Sequence, residues 1–267
     1  MIVIKIGGSV VDGLHSTTLP DIRGIAKNDR LVLVHGGGKE VTNIATKLGK
    51  EQKFIISPSG VKSRYTDKET AEIYTMVMSG KINKAIVGML LRQDIKAAGI
   101  TGIDGGLLKA ERKKKLLIIN ENGRKMAIDG GYTGKIYAVD PSLLDTLLDN
   151  EYVPVISPIA LSEEFDFLNV DGDRAAAYVA GGVKANKVMF ITNVSGLMLD
   201  GKLVTNMTLE QAKVALPKIG YGMEKKIIAC TEAVEMGVKE AIIASGQVEN
   251  PISSAIQHNN CTVITAT

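Results

Sequence analysis

Short apolar runs alternate with amphipathic stretches along most of the chain. The apolar runs predict strands at 2–6, 31–34, 116–120, 126–129, 135–139, 153–157, 188–192, 241–244 and 262–265. Helical periodicity fits 19–28, 37–48, 67–80, 82–98, 141–150, 173–184, 208–215 and 223–236. Such alternation implies an α/β fold with a mainly parallel sheet covered by helices on both faces. Asp140 followed by Pro141 suits a helix start, an N-cap and then proline in the first turn. Residues 109–139 break the pattern. Glu121-Asn122-Gly123 and Asp129-Gly130-Gly131 read as hairpin turns, so this stretch is expected to be an antiparallel hairpin insert projecting from the sheet. A soft lobe boundary falls near 172, dividing the chain into 1–172 and 173–267.

Two strand ends run directly into glycines. Residues 2–6 precede Gly7, Gly8 and Ser9, and Leu31 to His35 precede Gly36, Gly37 and Gly38. A strand, a glycine turn and a helix start leave backbone N–H groups free to cradle phosphate or carboxylate oxygens. Taken singly, either cluster also fits a tight turn that only glycine tolerates. Two of them, with Lys5 between, fit phosphoryl transfer between two anions held side by side. No P-loop is spelled out: Tyr132-Thr133-Gly134-Lys135-Ile136 lacks the spaced first glycine and the final hydroxyl. A dinucleotide fingerprint would need glycine where Val41 stands.

Composition narrows the class. With 267 residues, 45% hydrophobic and 23% charged, the chain can bury a substantial core as one large domain or two lobes. No apolar run approaches the roughly 18–20 residues of a membrane span. The first strand begins at Met1 without a basic leader, so a cytoplasmic protein is expected. Cys230 and Cys261 are far apart and read as buried reduced thiols, and three dispersed histidines offer no metal site. The net charge of +3 is uneven: residues 109–135 carry eight basic and three acidic side chains, +5 against −2 elsewhere. That reads as a docking surface for an acidic partner, or as a merely solvated hairpin. Aromatics are 4% of the chain and do not interleave with the charges, which argues against nucleic acid.

Three more clusters follow. Asn169, Asp171 and Asp173 sit at a strand-to-helix junction, Asn193 to Lys202 form a glycine-containing loop after a buried strand, and Gly220 and Gly222 precede Lys225 and Lys226. In order, KIGGS, HGGG, SRYTD, NVDGDRAA, TNVSGL and GMEKK resemble the motifs of the amino acid kinase superfamily, over essentially the whole chain. The acetylglutamate kinase group is the nearest likeness. The resemblance implies a three-layer αβα sandwich with an open sheet, an acyl-substrate and dimerisation lobe at 1–172, and an ATP lobe at 173–267. It implies ATP and Mg²⁺ as cofactors, an acyl phosphate as product and few or no protein ligands for the metal. Lys5 and Lys226 would contact the phosphates and the transition state, and Asp173 would orient both. Gly7, Gly8 and Ser9 would line the phosphates, with Gly36 and Gly37 on the phosphoryl group and substrate. Arg64 and Asn169 match positions that hold the substrate's α-carboxylate. Thr192, Asn193, Val194, Ser195, Gly196, Leu197 and Met198, with Gly222 and Met223, match the nucleotide site; the family more often has Asp at position 193. Lys225 competes with Lys226, and only motif spacing selects the latter. Asp171 reads as a helix cap.

Two features separate the chain from typical acetylglutamate kinases: Tyr65, where those have a small apolar residue, and Gly130-Gly131-Tyr132-Thr133-Gly134-Lys135. Both resemble the LysW-carrier kinases of lysine biosynthesis. In that group the substrate's α-amino group is joined by an isopeptide bond to the C-terminal glutamate of a small acidic carrier protein, LysW. The resemblance implies phosphorylation of carrier-bound 2-aminoadipate and, since one methylene is a weak discriminator, of carrier-bound glutamate. Lys113, Lys114, Lys115, Arg124, Lys125 and Lys135 would be the carrier's docking surface. An N-acetylglutamate kinase of arginine synthesis is the alternative, and a non-catalytic nucleotide sensor on the same fold a remote one. A homodimer is expected; the N-terminal helix of the arginine-inhibited branch, with its hexamer, is not.

Overall fold

A computed structural model describes residues 1–8, 15–58, 60, 62–120, 122–220 and 222–267, with only the backbone at Lys62. Ser9 therefore lies outside the described residues. In chain order the N-terminal half holds β1 (Ile2–Ile6), α1 (Thr18–Ala26), β2 (Leu31–His35), α2 (Gly38–Lys47), β3 (Phe54–Ile56), β4 (Lys62–Arg64) and α3 (Lys68–Thr75). A π-helical stretch, Met76–Ile82, leads into α4 (Asn83–Leu91) and β5 (Ala97–Thr101). Then come β6 (Leu108–Arg112), β7 (Lys115–Ile119), β8 (Lys125–Asp129), β9 (Gly134–Val139), α5 (Ser142–Asp149), β10 (Val153–Ser157), β11 (Ile159–Leu161) and β12 (Phe167–Asn169). The C-terminal half holds α6 (Gly172–Gly182), β13 (Lys187–Thr192), β14 (Met198–Leu199), β15 (Lys202–Leu203), β16 (Asn206–Thr208) and α7 (Leu209–Ala215). It closes with α8 (Met223–Glu235), β17 (Glu240–Ser245), α9 (Pro251–Ile256) and β18 (Cys261–Thr265).

One eight-stranded sheet in the order β16-β18-β17-β13-β1-β2-β10-β5 runs through the molecule, parallel except where β18 meets β17. Its inner strands are buried on both sides, so two cores form. Ile22 of α1, Val41 of α2, Leu90 of α4 and Ile252 of α9 cover one face. Leu144 of α5, Ala176 of α6, Ala212 of α7 and Ile227 of α8 cover the other, together with a smaller sheet, β12-β11-β6-β9. The boundary at 172 marks the start of α6, but the sheet is continuous across it, because β1 pairs with both β2 and β13.

Several expected elements are corrected. The helix expected at 82–98 stops at Leu91; Asp94 takes a left-handed φ of 56° and residues 97–101 pair with β10 as an edge strand. Ala97, Ala98 and Gly99 give that strand no apolar signature, and its pairing is long-range. The insert is also smaller than expected. β7 and β8 form a two-stranded hairpin, whereas β9 pairs with β6 in the smaller sheet. The Asp129–Gly131 turn therefore redirects the chain instead of closing a hairpin. Its glycines are demanded by close approach: a Cβ on Gly130 would overlap the Lys113 carbonyl, and one on Gly131, at φ 59°, the Thr66 carbonyl.

Candidate active site

Strand alternation aims Lys5. Ile2, Ile4 and Ile6 point into one core and Val3 into the other, so Lys5 follows Val3 toward α6. The first turn of α6 carries Asp173, set there by Asp171, whose carboxylate caps the helix by accepting from the Asp173 and Arg174 N–H groups at 2.9 and 3.2 Å. Lys5 Nζ lies 2.5 Å from Asp173 Oδ1, and Lys226 of α8 donates to Asp173 Oδ2 at 3.0 Å. Burial alone would raise the Asp173 pKa; the two ammonium groups outweigh it and hold it down at about 2. Two lysines on one carboxylate leave an uncompensated positive charge in a water-poor place. Lys225 instead faces Asp171, at 4.0 Å.

The two glycine clusters pack on each other. A Cβ on Gly36 would come within 2.6 Å of the Gly8 nitrogen, and one on Gly8 would strike Gly37. The first N–H groups are not all available, however. Gly7 donates to the Ile191 carbonyl at 3.2 Å and Gly36 to that of Ile6 at 2.9 Å, continuing the sheet ladder. Of the expected amide donors, these two are corrected; Gly37 and Gly38, at the start of α2, stand where helix N–H groups lack intrahelical acceptors.

Beneath them lies a buried network that the motifs did not announce. The Nδ1 of His35 faces the Gly36 carbonyl at 3.0 Å, and a carbonyl can only accept, so the proton sits on Nδ1. Nε2 then accepts from the Asn83 side-chain N–H at 3.3 Å and lies 2.9 Å from Ser157 Oγ, whose hydroxyl donates to the Met78 carbonyl at 3.1 Å. Burial, partly offset by that Gly36 bond, lowers the His35 pKa to about 4, so the ring is neutral near pH 7. A histidine inside an otherwise apolar strand was the available signal.

A cleft of about 700 Å³ opens beside Lys5 and Asp173 and is lined by Gly36, Gly37, Arg64, Asn169, Lys113 and Lys135, among others. Arg64 is half-buried and held by neutral groups: Gln52, the Gly38 carbonyl at 2.7 Å and the Thr42 hydroxyl at 2.8 Å, with its guanidinium 5.1 Å from the Phe54 ring centre. Both Nη2 protons are thereby used, so a two-point grip on a carboxylate has to displace one of them. Asn169 donates to Thr66 Oγ1 at 3.0 Å. Tyr65 is not on the cleft wall; it packs beside Gly131, and Tyr132 N–H donates to the Thr66 carbonyl at 2.7 Å. The two distinctive stretches of sequence thus touch each other.

Other expected residues lie off this cleft. Thr192 ends β13, and the loop from Asn193 and Val194 to Met198 leans on β18, with Leu197 N–H donating to Thr262 Oγ1 at 2.8 Å and Asn260 to Ser195 Oγ at 3.1 Å. Gly196 packs so tightly on Thr262 that a Cβ there would collide. Gly222, at φ 90°, and Met223 begin α8. Lys114, Lys115, Arg124 and Lys125 are exposed on or beside the β7–β8 hairpin, but Lys113 is half-buried in the cleft wall. That corrects the expectation of a wholly solvent-facing basic cluster: β9 pairs with β6 and draws Lys113 inward. Among the described residues, no group of three or more His, Cys, Asp or Glu side chains is placed to hold a metal ion. Among them too, no helix is long and apolar enough to cross a membrane.

In open α/β folds ligands bind at the carboxyl ends of the strands where the strand order reverses, and here the order reverses at β1, beside the cation cluster and the cleft. The chain belongs to the amino acid kinase family, which matches residues 1–245. It is 66% identical over 264 residues to a "Putative [LysW]-aminoadipate/[LysW]-glutamate kinase" of Nitrosopumilus maritimus, covering 99% of both chains. It is 45% identical over 265 residues to a "[LysW]-aminoadipate/[LysW]-glutamate kinase" of Saccharolobus islandicus, again with 99% coverage of both. Among solved structures, smu.665 from Streptococcus mutans superposes with TM-score 0.79 at 23% identity (100% of this chain, 98% of that one). Carbamate kinase from Giardia lamblia bound to AMP-PNP gives 0.69 at 15% identity, covering 99% and 98%. The last two likenesses bear on the fold alone.

Proposed function

We propose that the protein uses ATP to phosphorylate the side-chain carboxylate of 2-aminoadipate carried on a LysW-type protein, and of carrier-bound glutamate, forming acyl phosphates for lysine and arginine biosynthesis. The observation that carries this reading is the Lys5–Asp173–Lys226 cluster at the mouth of a cation-rich cleft, in a chain 45–66% identical to proteins named for that activity.

The chemistry asks little else of the protein. A side-chain carboxylate is ionised at neutral pH, so the nucleophile needs no base. The obstacle is repulsion between carboxylate and triphosphate, and preorganised cations remove it. Asp173 spends one contact on each lysine; the remaining ammonium protons of Lys5 and Lys226 face the transferring group without reorganisation. Close packing of Gly8 on Gly36 and Gly37 leaves no side chain between the reactants. Arg64 and Asn169 hold the α-carboxylate, while Thr192–Met198, Gly222 and Met223 form the nucleotide side of residues 173–267. The acyl side and the homodimer contact belong to residues 1–172. The described residues offer no carboxylate cage and Asp173 is committed to lysines, so Mg²⁺ would accompany ATP as the counter-ion of its phosphates. The exposed hairpin charges Lys114, Lys115, Arg124 and Lys125 receive the acidic carrier. We take the working form to be a cytoplasmic homodimer.

Hydroxamate trapping of acyl phosphate, with carrier-linked aminoadipate, carrier-linked glutamate and free N-acetylglutamate compared, tests the reading. Turnover of both carrier-linked substrates is expected. Efficient turnover of free N-acetylglutamate, with none of the carrier forms, would replace it by the acetylglutamate kinase alternative.

A further inference from the structure

Among the described residues, six cationic side chains line the cleft, and they are not equally satisfied. Lys5 pairs with Asp173, Arg174 with Glu232 and Lys225 with Asp171, while Arg64 is held by neutral acceptors. Among the described residues, no carboxylate lies within ion-pairing distance of Lys113 or Lys135. Lys113 is half-buried nonetheless, which is a costly place for an unpaired ammonium. Burial lowers its pKa, and the like charges of Arg174, Lys225 and Lys135 lower it further against the pull of Asp171. The site lacks an anion.

Its position says which one. Glu111 lies opposite Lys135 in the β6–β9 ladder, and Lys113 N–H donates to the Thr133 carbonyl at 3.0 Å. Lys113 and Lys135 therefore share one face of the ribbon, the face that walls the cleft; Glu111 starts from the same face but is exposed, stands outside the cleft lining and forms an ion pair with neither lysine. Lys114 and Lys115, exposed, lead from Lys113 straight into the hairpin. A tail running from a partner on the hairpin to Lys5 passes Lys113. An isopeptide bond made through the side chain of a C-terminal glutamate leaves that residue's own α-carboxylate free. A carrier-linked substrate thus brings three carboxylates: the reacting one, its α-carboxylate and the carrier's terminus. An N-acetylated amino acid brings only two.

We infer that Lys113 and Lys135 form an anion site in the cleft wall that grips the C-terminal carboxylate of the carrier protein, so that the enzyme reads attachment to the carrier within the cleft as well as on its surface. This rests on the carrier-linked substrate proposed above. The test compares carrier-linked aminoadipate with the same conjugate made as its C-terminal carboxamide. On the carboxamide the wild-type enzyme should lose about 10- to 100-fold in kcat/KM, mainly through KM, as for a lost charge-assisted hydrogen bond. Lys113→Met and Lys135→Met should lose a similar factor on the native conjugate and little more on the carboxamide, with KM for ATP within about twofold of wild type. Lys113→Arg should recover most of the loss. Lys135 is exposed, so Lys135→Met carries the comparison should Lys113→Met fold poorly. Equal wild-type turnover of the two conjugates overturns the inference and leaves the function standing. A rise in KM for ATP overturns it as well, by moving the pair to the phosphates. Failure of the wild type on both conjugates removes the proposed function and this inference together.

Discussion

Two cationic regions face each other across the cleft. At the strand ends, Lys5 and Lys226 are pinned to opposite oxygens of buried Asp173, and their positions are set before any ligand arrives. On the β6–β9 wall and its hairpin, Lys113, Lys114, Lys115, Lys125 and Lys135 form no ion pair among the described residues. A charge held by a built-in counter-ion serves chemistry, because it costs no reorganisation at the moment of transfer. A charge left without one awaits a partner that brings the counter-ion. The first region should therefore be sensitive to single substitutions and indifferent to salt, and the second the reverse.

Removing the shared counter-ion is the harshest way to break that contrast. Asp173→Asn leaves two buried ammonium groups facing each other, and should lower kcat by about 10³-fold and stability by about 3 kcal/mol or more. Steady-state rates and thermal melts read both; near-wild-type kcat in the folded variant would deny the pinning role. Acid offers a gentler probe. Asp173 is held at about 2, below its ordinary value of 3.8, so its stabilisation is whole above that value and is lost as the pH falls from there toward 2. His35, lowered to about 4 in the fold, differs: between pH 6.5 and 4 the unfolded chain binds a proton that the native ring refuses. Stability should consequently fall across that window by up to about 3 kcal/mol from this group, with Asp173 still largely ionised. A melting temperature independent of pH from 6.5 to 4 would contradict the buried neutral His35.

Lysine truncation sharpens the assignment within the pinned region. Lys5→Ala and Lys226→Ala should each reduce kcat by about 10²-fold, whereas Lys225→Ala, whose nearest carboxylate is the capping Asp171 at 4.0 Å, should stay within a few-fold of wild type. An inverted ranking of Lys225 and Lys226 would reassign the contact. The smallest effect belongs to the open region. Reversing Lys114, Lys115 and Lys125 to Glu should leave the fold intact and cut kcat/KM for the carrier-linked substrate by roughly tenfold at low salt. The deficit should fade as ionic strength rises. A loss independent of salt would return the hairpin to an ordinary solvated element.

Much of this was legible in the amino-acid order, and the failures have particular causes. The buried strands, β1, β2, β10, β13, β17 and β18, were found to within a residue or so, because short, mostly apolar, β-branched runs bounded by polar and glycine residues favour a buried strand. Asp171 was read correctly as a cap, a local interaction spanning three residues. What escaped was non-local. β5 carries small residues whose strand character comes from pairing with β10. β9 was attributed to the insert because its true partner, β6, lies more than twenty residues upstream. The loss of the Gly7 and Gly36 amides to the ladder was equally invisible, since their acceptors belong to strands β13 and β1.

By itself the sequence determined the class of fold, the order of the motifs and the kinds of side chain available: two lysines, one aspartate, two glycine clusters and a concentration of positive charge. Those depend on periodicity, local turn chemistry and residue type, all of which are written over short stretches. That Tyr65 packs beside Gly131 off the cleft wall, and that Lys113 turns inward while Lys114 and Lys115 stay in water, were decided only by the tertiary structure. Each depends on strands and helices from distant parts of the chain being brought within a few ångströms, and the burial that results sets whether a charge is paired, displaced or left waiting.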